Sequence, residues 1–366
     1  MKLAIMIPSL NTGGAERTAV SLANWLARNK NIDVYLINPG KDDNNYIIDE
    51  KVNYFYNVNK ISRIKFYFKT ISFLKEKKID IIFEMLFTPL RSALIYKFLF
   101  NHNCIIIGSE RANPAKYSNY KGFIRSHICP YLCDNYIFQT QIVKNMFSPK
   151  IQLKSVVIPN AISNPEVYNI KKDKEKKEKV IVSVGRLTEQ KGFDVLIKAF
   201  SKIVKKHSDY KLEIYGNGPL KEKLKNLIEE MSLEQYVSLK GNSSNIIEKI
   251  YDKDIFVLCS RYEGMPNALM EAMAIGLPCI STDCIAGPSE LIKNLYNGIL
   301  VPVDDIDSIE KSLNLLIENQ KLKNELGSNA KKIMESHDID FIYNQFYKYF
   351  ELLYERKGEK HEGFGK

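Results

Sequence analysis

Two cations follow the apolar segment 180–184 and suit the binding of a diphosphate. Arg186 and Lys191 lie between Gly185 and Gly192, directly after that segment. Arginine holds phosphate oxygens through two parallel hydrogen bonds, and lysine adds a mobile point charge. Taken alone, the segment also allows a simpler interpretation, in which both cations are solvated loop residues.

Two glutamates, Glu263 and Glu271, lie on either side of Pro266. Proline suits the first position of a helix, so we predict that Glu263 lies in the preceding loop and Glu271 inside the helix. Backbone N–H groups in the range 264–268 would then face a phosphate, while the carboxylates accept hydrogen bonds from the vicinal hydroxyls of a sugar or ribose. Ordinary helix capping and surface chemistry is the alternative interpretation.

Two further polar clusters follow apolar runs in the N-terminal half. Gly13 and Gly14 open a predicted helix, where glycine allows the backbone to approach a ligand and the helix N-terminus favours an anion. Glu110 and Arg111 follow the run 104–107. This charged pair either orients an acceptor or forms a structural ion pair.

Apolar runs that alternate with helix-length segments predict parallel strands covered by helices, an α/β architecture that places the clusters at strand ends. The predicted strands are 3–7, 34–37, 79–83, 104–107, 136–139, 180–184, 211–215, 237–239, 255–259, 278–281 and 298–301. Because 366 residues exceed one ordinary core and segment 164–179 is polar, we predict two domains joined by a linker.

The predicted N-terminal domain covers residues 1–165 and the C-terminal domain residues 178–340. Sheets of this kind bind ligands at the carboxyl ends of their strands, so a cleft between the two domains is the expected binding site. The aromatic segment 341–356 is predicted to be a helix that packs across both domains.

The composition is that of an ordinary folded protein. Hydrophobic residues make up 45% and charged residues 26%, which excludes a disordered, collagen-like or coiled-coil chain. No segment has the apolar length of a membrane-spanning helix, and no signal peptide is recognisable, so we expect a cytoplasmic protein. The sequence contains neither a complete G-x-G-x-x-G nor a P-loop motif, which argues against NAD and P-loop nucleotides.

The net charge of +10 comes from residues 1–170, which contain 22 Lys and Arg against 12 Asp and Glu. Segment 57–78 is the most basic, and its apolar residues recur at spacings of three and four, which predicts an amphipathic helix. This helix either binds an anionic membrane surface or packs on the core with a solvated basic face. Nucleic acid is not an expected partner, because no recognised binding module accompanies the charge.

Taken together, the motifs resemble those of the family 4 (group 1) retaining glycosyltransferases, enzymes with the GT-B fold of two Rossmann-like domains. The segments that carry the resemblance are Gly13-Gly14-Ala15-Glu16-Arg17, Gly185-Arg186-Leu187, Lys191-Gly192, the E-x7-E pair Glu263 and Glu271, Gly287-Pro288-Ser289-Glu290, and Asn297-Gly298. The resemblance is specific over residues 180–302 and looser in the N-terminal half, where such enzymes hold their acceptors.

The resemblance implies a role for each candidate residue. Arg186 and Lys191 would hold the diphosphate of a nucleotide-sugar and Glu271 the ribose hydroxyls. Glu263 would hold the transferred sugar and is the catalytic candidate of the C-terminal domain. The remaining donor-binding residues are Gly13, Gly14, Gly264, Met265, Pro266, Asn267 and Ala268. Glu110 and Arg111 are the catalytic candidates of the N-terminal domain, and Arg111 stands where related enzymes often have histidine.

The function that follows is retaining transfer of a hexose or N-acetylhexosamine to a lipid-linked or other saccharide acceptor, in the assembly of a bacterial surface glycan such as lipopolysaccharide or capsule. UDP is the expected nucleotide from the family's commoner usage, since no residue here selects it over GDP or ADP. The cations stabilise the departing diphosphate, so neither a metal nor another cofactor is expected.

The expected partners are the nucleotide-sugar donor, the lipid-linked acceptor and the anionic inner face of the plasma membrane. Two alternatives stay open. One is a sugar-nucleotide epimerase of the same fold, and the other is a non-enzymatic basic protein that binds membrane or nucleic acid.

Overall fold

The chain forms two compact units in a computed structural model. The structure describes residues 1–10, 13–40, 46–57, 61–86, 90–111, 124–162, 179–243 and 245–362. The first unit comprises residues 1–163 with 339–366, and the second comprises residues 164–338. Nearly all of the predicted linker 164–179 lies outside the described residues.

The first unit is built on a parallel sheet. Its strands are β1 (Lys2–Met6), β2 (Asp33–Asn38), β3 (Asn53–Tyr56), β4 (Ile81–Glu84), β5 (Ile105–Glu110), β6 (Asn135–Phe138) and β7 (Ser155–Val157). They lie side by side in the order β3-β2-β1-β4-β5-β6-β7, and every pairing is parallel. The strand order therefore reverses between β1 and β4, and such a switch point is where open α/β sheets bind ligands.

Helices follow most strands of this unit. They are α1 (Gly14–Asn29), α2 (Arg63–Lys77), α3 (Leu90–Phe100), a π-helical turn (Ile124–Ile128), α4 (Cys129–Leu132), α5 (Gln141–Asn145) and α6 (Pro149–Leu153). Helix α2 starts where the Ser62 side chain accepts a hydrogen bond from the Lys65 amide. Among the described helices of the whole chain, none combines the length and the apolar character needed to cross a membrane.

The second unit repeats the same plan with six parallel strands. They are β8 (Val180–Val184), β9 (Lys211–Tyr215), β10 (Val237–Gly241), β11 (Ile255–Leu258), β12 (Cys279–Thr282) and β13 (Ile299–Val301). Their order is β10-β9-β8-β11-β12-β13, so the switch point lies between β8 and β11. The intervening helices are α7 (Phe193–Val204), α8 (Lys221–Glu230), α9 (Ile246–Ile250), α10 (Asn267–Ala274), α11 (Pro288–Leu291), α12 (Ile306–Glu318), α13 (Gln320–Ala330) and α14 (Ile333–Ser336).

The last helix, α15 (Ile339–Glu362), belongs to the first unit. It begins two residues before the predicted start and continues past the predicted end at residue 356. Its buried face includes Phe346 and Phe350, whose rings lie 5.8 and 5.6 Å from the ring of Phe83 in β4. This aromatic packing explains why the chain returns to complete the core of the first unit.

Candidate active site

The loops that follow β8 and β11 are tied together at the switch point of the second unit. The Arg261 amide donates to the Gln190 carbonyl at 2.7 Å, and the Gln190 side-chain amide donates to the Tyr262 carbonyl at 2.9 Å. The Cys259 thiol lies 3.2 Å from the Lys191 carbonyl. These bonds bring two of the predicted clusters into one place, although 72 residues separate them.

Lys191 and Glu263 meet directly in this place. The Lys191 Nζ lies 2.5 Å from Glu263 Oε1, and the Ser260 hydroxyl donates to the same oxygen at 2.6 Å. Only 16% of the lysine side chain and 8% of the glutamate side chain are exposed, so the pair is largely screened from water. Gly185 makes room for it, because a β-carbon there would lie 3.0 Å from the Lys191 side chain.

Gly192 closes the loop after β8 in a left-handed conformation, with φ 62°. A β-carbon at this position would lie 2.1 Å from the Cys259 carbonyl oxygen. Both the backbone angle and the close approach require glycine, which explains the Lys191-Gly192 pair in the motif.

Helix α10 begins one residue later than predicted. Pro266 is its N-cap residue, and the amides of Leu269 and Met270 both donate to the Pro266 carbonyl at 3.1 Å. The amides of Asn267 and Ala268 precede these bonds at the start of the helix, where N–H groups face outward along the helix axis. Glu271 lies one turn further on and is buried. The prediction that Pro266 is the first helical residue is therefore wrong by one position.

Of the other predicted residues in this unit, Arg186 is exposed on the loop after β8, and Gly264 and Met265 lie between Glu263 and the helix. Met265 is buried, and Gly264 is partly exposed. The structure thus brings Lys191 and Glu263 into contact. It places Arg186, Gly264 and Met265 on the loops that carry this pair, and Asn267, Ala268 and Glu271 in the helix that follows.

Sequence reasoning assigned no role to Arg261, which lies two residues before Glu263, and the structure gives it one. Its guanidinium bonds to Asp194 at 2.8 and 3.1 Å, to Asp304 at 2.7 Å and to the Glu189 carbonyl at 2.6 Å. Burial raises the pKa of the Asp194 carboxyl, but the hydrogen bond and charge of Arg261 outweigh it and lower the pKa overall. Arg261 therefore holds the short 3-10 turn Glu189–Lys191 in position.

In the first unit, the backbone of Gly13 is hydrogen-bonded to a tyrosine hydroxyl. The Gly13 amide lies 3.0 Å from the Tyr46 hydroxyl, which in turn lies 3.1 Å from the Gly13 carbonyl oxygen. Gly13 is extended, with φ −168°, so its backbone angle does not require glycine; Gly14 is the first residue of α1. No sequence pattern points to Tyr46 as the partner.

Glu110 and Arg111 do not form the ion pair that the sequence allowed. Glu110 ends β5, is buried, and accepts a hydrogen bond from the Arg111 backbone amide at 3.0 Å. The Arg111 guanidinium turns instead to Asn160, where Nη1 donates to Oδ1 at 3.1 Å. The Gln139 side-chain amide donates to the same oxygen. Sequence reasoning missed both amides, which are buried. Gln139 directly follows β6, and Asn160 lies in the loop shortly after β7.

Glu84 is a buried carboxyl that sequence reasoning also missed. It ends β4 beside the switch point of the first unit, opposite Met6 on β1 and Gly108 on β5. The residue is fully buried, and neither carboxyl oxygen has a hydrogen-bond partner among the described residues. Burial alone raises the pKa of this group well above its usual value.

Replacing Glu84 with glutamine should stabilise the first unit at about pH 8 by roughly 1–3 kcal/mol. A group whose pKa is raised by folding contributes its stability below the unfolded pKa and loses it as the pH rises towards the folded pKa. Glutamine does not ionise, so the gain should shrink towards pH 4. Urea unfolding of both proteins across this pH range measures it, with the exposed Glu50→Gln as control. A gain that does not depend on pH would contradict the explanation.

Comparison with known proteins identifies the family. The sequence profile described as "Glycosyl transferases group 1" matches residues 166–333. A Campylobacter jejuni protein, named N-acetylgalactosamine-N,N'-diacetylbacillosaminyl-diphospho-undecaprenol 4-alpha-N-acetylgalactosaminyltransferase, is 30% identical over 95% of this chain and 99% of its own length. An uncharacterized glycosyltransferase of Haemophilus influenzae is 29% identical over 94% of this chain and 98% of its own length.

The fold is that of solved glycosyltransferases. The crystal structure of Anabaena Alr3699/HepE in complex with UDP-glucose superposes with a TM-score of 0.79 at 17% identity, over 96% of this chain and 99% of that one. This likeness shows the fold, and the two parallel sheets with their helices are the predicted GT-B architecture. With the sequence matches, it establishes that the chain belongs to the group 1 glycosyltransferases.

Proposed function

We propose that this chain is a retaining glycosyltransferase that transfers a sugar from a UDP-sugar to a lipid-linked saccharide during assembly of a bacterial surface glycan. The contact between Lys191 and Glu263 at the switch point of the second unit carries the proposal. It places a cation for a diphosphate next to a carboxylate for a sugar hydroxyl, the two groups that a nucleotide-sugar needs.

The proposed site divides the donor among these residues. Arg186 and Lys191 hold the diphosphate, Glu271 holds the ribose, and Glu263 with residues 264–268 holds the transferred sugar. Lys191 and Ser260 both bind Glu263 Oε1, and we propose that the second carboxylate oxygen, Oε2, accepts a hydrogen bond from a sugar hydroxyl. Two donors on one oxygen also make this carboxylate a poor nucleophile, in keeping with a role in binding.

Sugar transfer requires that negative charge on the departing diphosphate be stabilised. Lys191 is held in place before the substrate arrives, so no reorganisation is needed as that charge develops. We therefore propose that the reaction runs without a metal. Activity should survive EDTA treatment, and activity that EDTA abolishes and magnesium restores would overturn this part of the proposal.

Calorimetric titration with UDP, GDP, ADP and NAD tests the donor site. We expect one nucleoside diphosphate to bind, and Glu271→Ala and Arg186→Ala each to weaken it about tenfold or more. The exposed Glu230→Ala and Arg28→Ala are matched controls that should leave the affinity unchanged. Binding of NAD alone, or no effect of either site variant, would contradict the proposed donor site.

Helix α2 supports binding of the chain to a membrane surface as a peripheral protein of the inner face. One side of the helix packs in the core through Phe66, Ile71 and Leu74. The other side exposes Ile64 and Phe68 by 71% and 61%, among the exposed lysines 65, 69 and 75. The buried side of α2 agrees with packing on the core, and its exposed side supports the membrane interpretation. Exposed apolar side chains among cations favour an anionic lipid surface.

Sedimentation with vesicles tests this surface. We expect the protein to bind phosphatidylglycerol vesicles at low salt and to bind less to phosphatidylcholine, because each well-placed lysine contributes about 1 kcal/mol on an anionic surface. Phe68→Ser should weaken binding, and Ile47→Ser, at an exposed position outside α2, should not. Equal binding to both lipids, or no binding, would contradict the proposed surface.

A further inference from the structure

Arg111 is a cation that lacks an ion-pair partner among the described residues. Its Nη1 donates to Asn160, and its Nε is buried without a hydrogen-bond partner. Among the residues that the structure describes, the guanidinium forms no ion pair, although the negative charge of Glu16 in the first turn of α1 acts on it. Burial lowers the pKa of Arg111 to about 10, so the group is still charged at neutral pH.

A cation without an ion-pair partner destabilises the folded protein unless a ligand binds it. A buried charge costs several kcal/mol when no ion pair in direct contact compensates it. Buried donors in folded proteins nearly always have a partner, and an orphan points to a missing ligand, ion or water. The Nε–H and the unpaired charge therefore indicate a binding site for an anion.

The guanidinium is also fixed in direction. Asn160 Oδ1 accepts from both Arg111 and Gln139, and the two amide side chains are buried at the ends of neighbouring strands. Because Gln139 donates to this oxygen, the amide of Asn160 is oriented with its oxygen towards Arg111. Asn160 thus acts as a positioning residue for the arginine, and a charge that is oriented in advance binds its partner at a lower cost in entropy.

A phosphate is the anion that this group suits best. The planar guanidinium binds phosphate oxygens through paired hydrogen bonds. In the proposed reaction the donor's diphosphate already has two cations, Arg186 and Lys191, in the second unit. We propose that Arg111, oriented by Asn160, binds a phosphate group of the lipid diphosphate that carries the acceptor saccharide. This inference rests on the proposed function.

Binding of farnesyl diphosphate and farnesol, measured by calorimetry, tests the site. We expect the wild type to prefer the diphosphate, and Arg111→Gln to weaken diphosphate binding about 10- to 100-fold without changing that of farnesol. Asn160→Ala keeps the charge of Arg111 but loses its orientation, so affinity for the diphosphate should fall less than in Arg111→Gln. Arg28→Gln removes an exposed arginine of the same unit and should have no effect.

Three outcomes separate the possibilities. If Arg111→Gln weakens UDP binding and leaves farnesyl diphosphate unchanged, Arg111 serves the donor's phosphate and the acceptor assignment is overturned. If neither ligand is affected in a variant whose thermal midpoint is normal, Arg111 binds no phosphate. If the wild type binds no nucleotide, the proposed function fails, while the farnesyl diphosphate titration still tests Arg111. Should Arg111→Gln not fold, Asn160→Ala provides the same comparison.

Discussion

Replacing Lys191 with alanine should lower kcat/KM for sugar transfer by about 100- to 1,000-fold, the loss seen when one preorganised group that stabilises transition-state charge is removed. Lys191 is the largely buried cation of the proposed donor site, and its Nζ lies 2.5 Å from Glu263 Oε1. The substitution removes the charge that we propose stabilises the departing diphosphate, and it also leaves Glu263 without its ion-pair partner. We expect kcat and donor affinity to fall together, in steady-state assays that vary the donor.

The matched control is Lys198→Ala, an exposed lysine on α7 that should leave activity unchanged. Glu263→Gln should lower activity as well, because the amide is a weaker acceptor and loses the ion pair. The double variant Lys191→Ala with Glu263→Gln should be less impaired than the product of the single effects, since the two residues act as a unit. Full activity of Lys191→Ala would show that Lys191 does not contribute to the proposed donor site.

The central strands of both sheets could be predicted because burial on two faces gives continuous apolar runs. The predicted strand 180–184 agrees with β8 residue for residue. The predicted strand 211–215 agrees equally with β9, although its sequence alternates between polar and apolar residues. Edge strands β3 and β7 were missed. Asn53–Tyr56 and Ser155–Val157 are short and only partly buried, so their sequences carry neither an apolar run nor a clear alternation.

The sequence predicted only those site residues that follow the ends of recognisable strands. Residue types and their position after strands indicated Lys191 and Glu263, but their contact spans 72 residues and depends on the pairing of loops. Asn160, which orients Arg111 from 49 residues away, lies in a segment whose sequence shows no chemical pattern. Glu84 was not predicted as a site residue, because a single glutamate in the otherwise apolar run 81–87 resembles the end of a strand.

Replacing Gly287 with alanine should destabilise the second unit by at least about 3 kcal/mol and weaken donor binding in the protein that still folds. Gly287 has φ 100° and precedes α11. A β-carbon there would lie 2.0 Å from the Gly264 carbonyl oxygen and 2.8 Å from Pro266 Cδ. The methyl group must therefore displace the loop that holds the proposed sugar and phosphate contacts.

Gly241→Ala separates backbone strain from this collision. Gly241 also has a positive φ, 72°, but a β-carbon there would meet nothing within 4 Å. The Gly241→Ala variant should lose roughly 1–2 kcal/mol of its free energy of unfolding, because only backbone strain acts at this position. Its nucleotide affinity should be unchanged. Hydrogen exchange of the second unit and calorimetry with the bound nucleotide measure both effects. Equal losses of stability in the two variants, with unchanged affinity in both, would show that the approach of Gly287 to Gly264 does not shape the donor site.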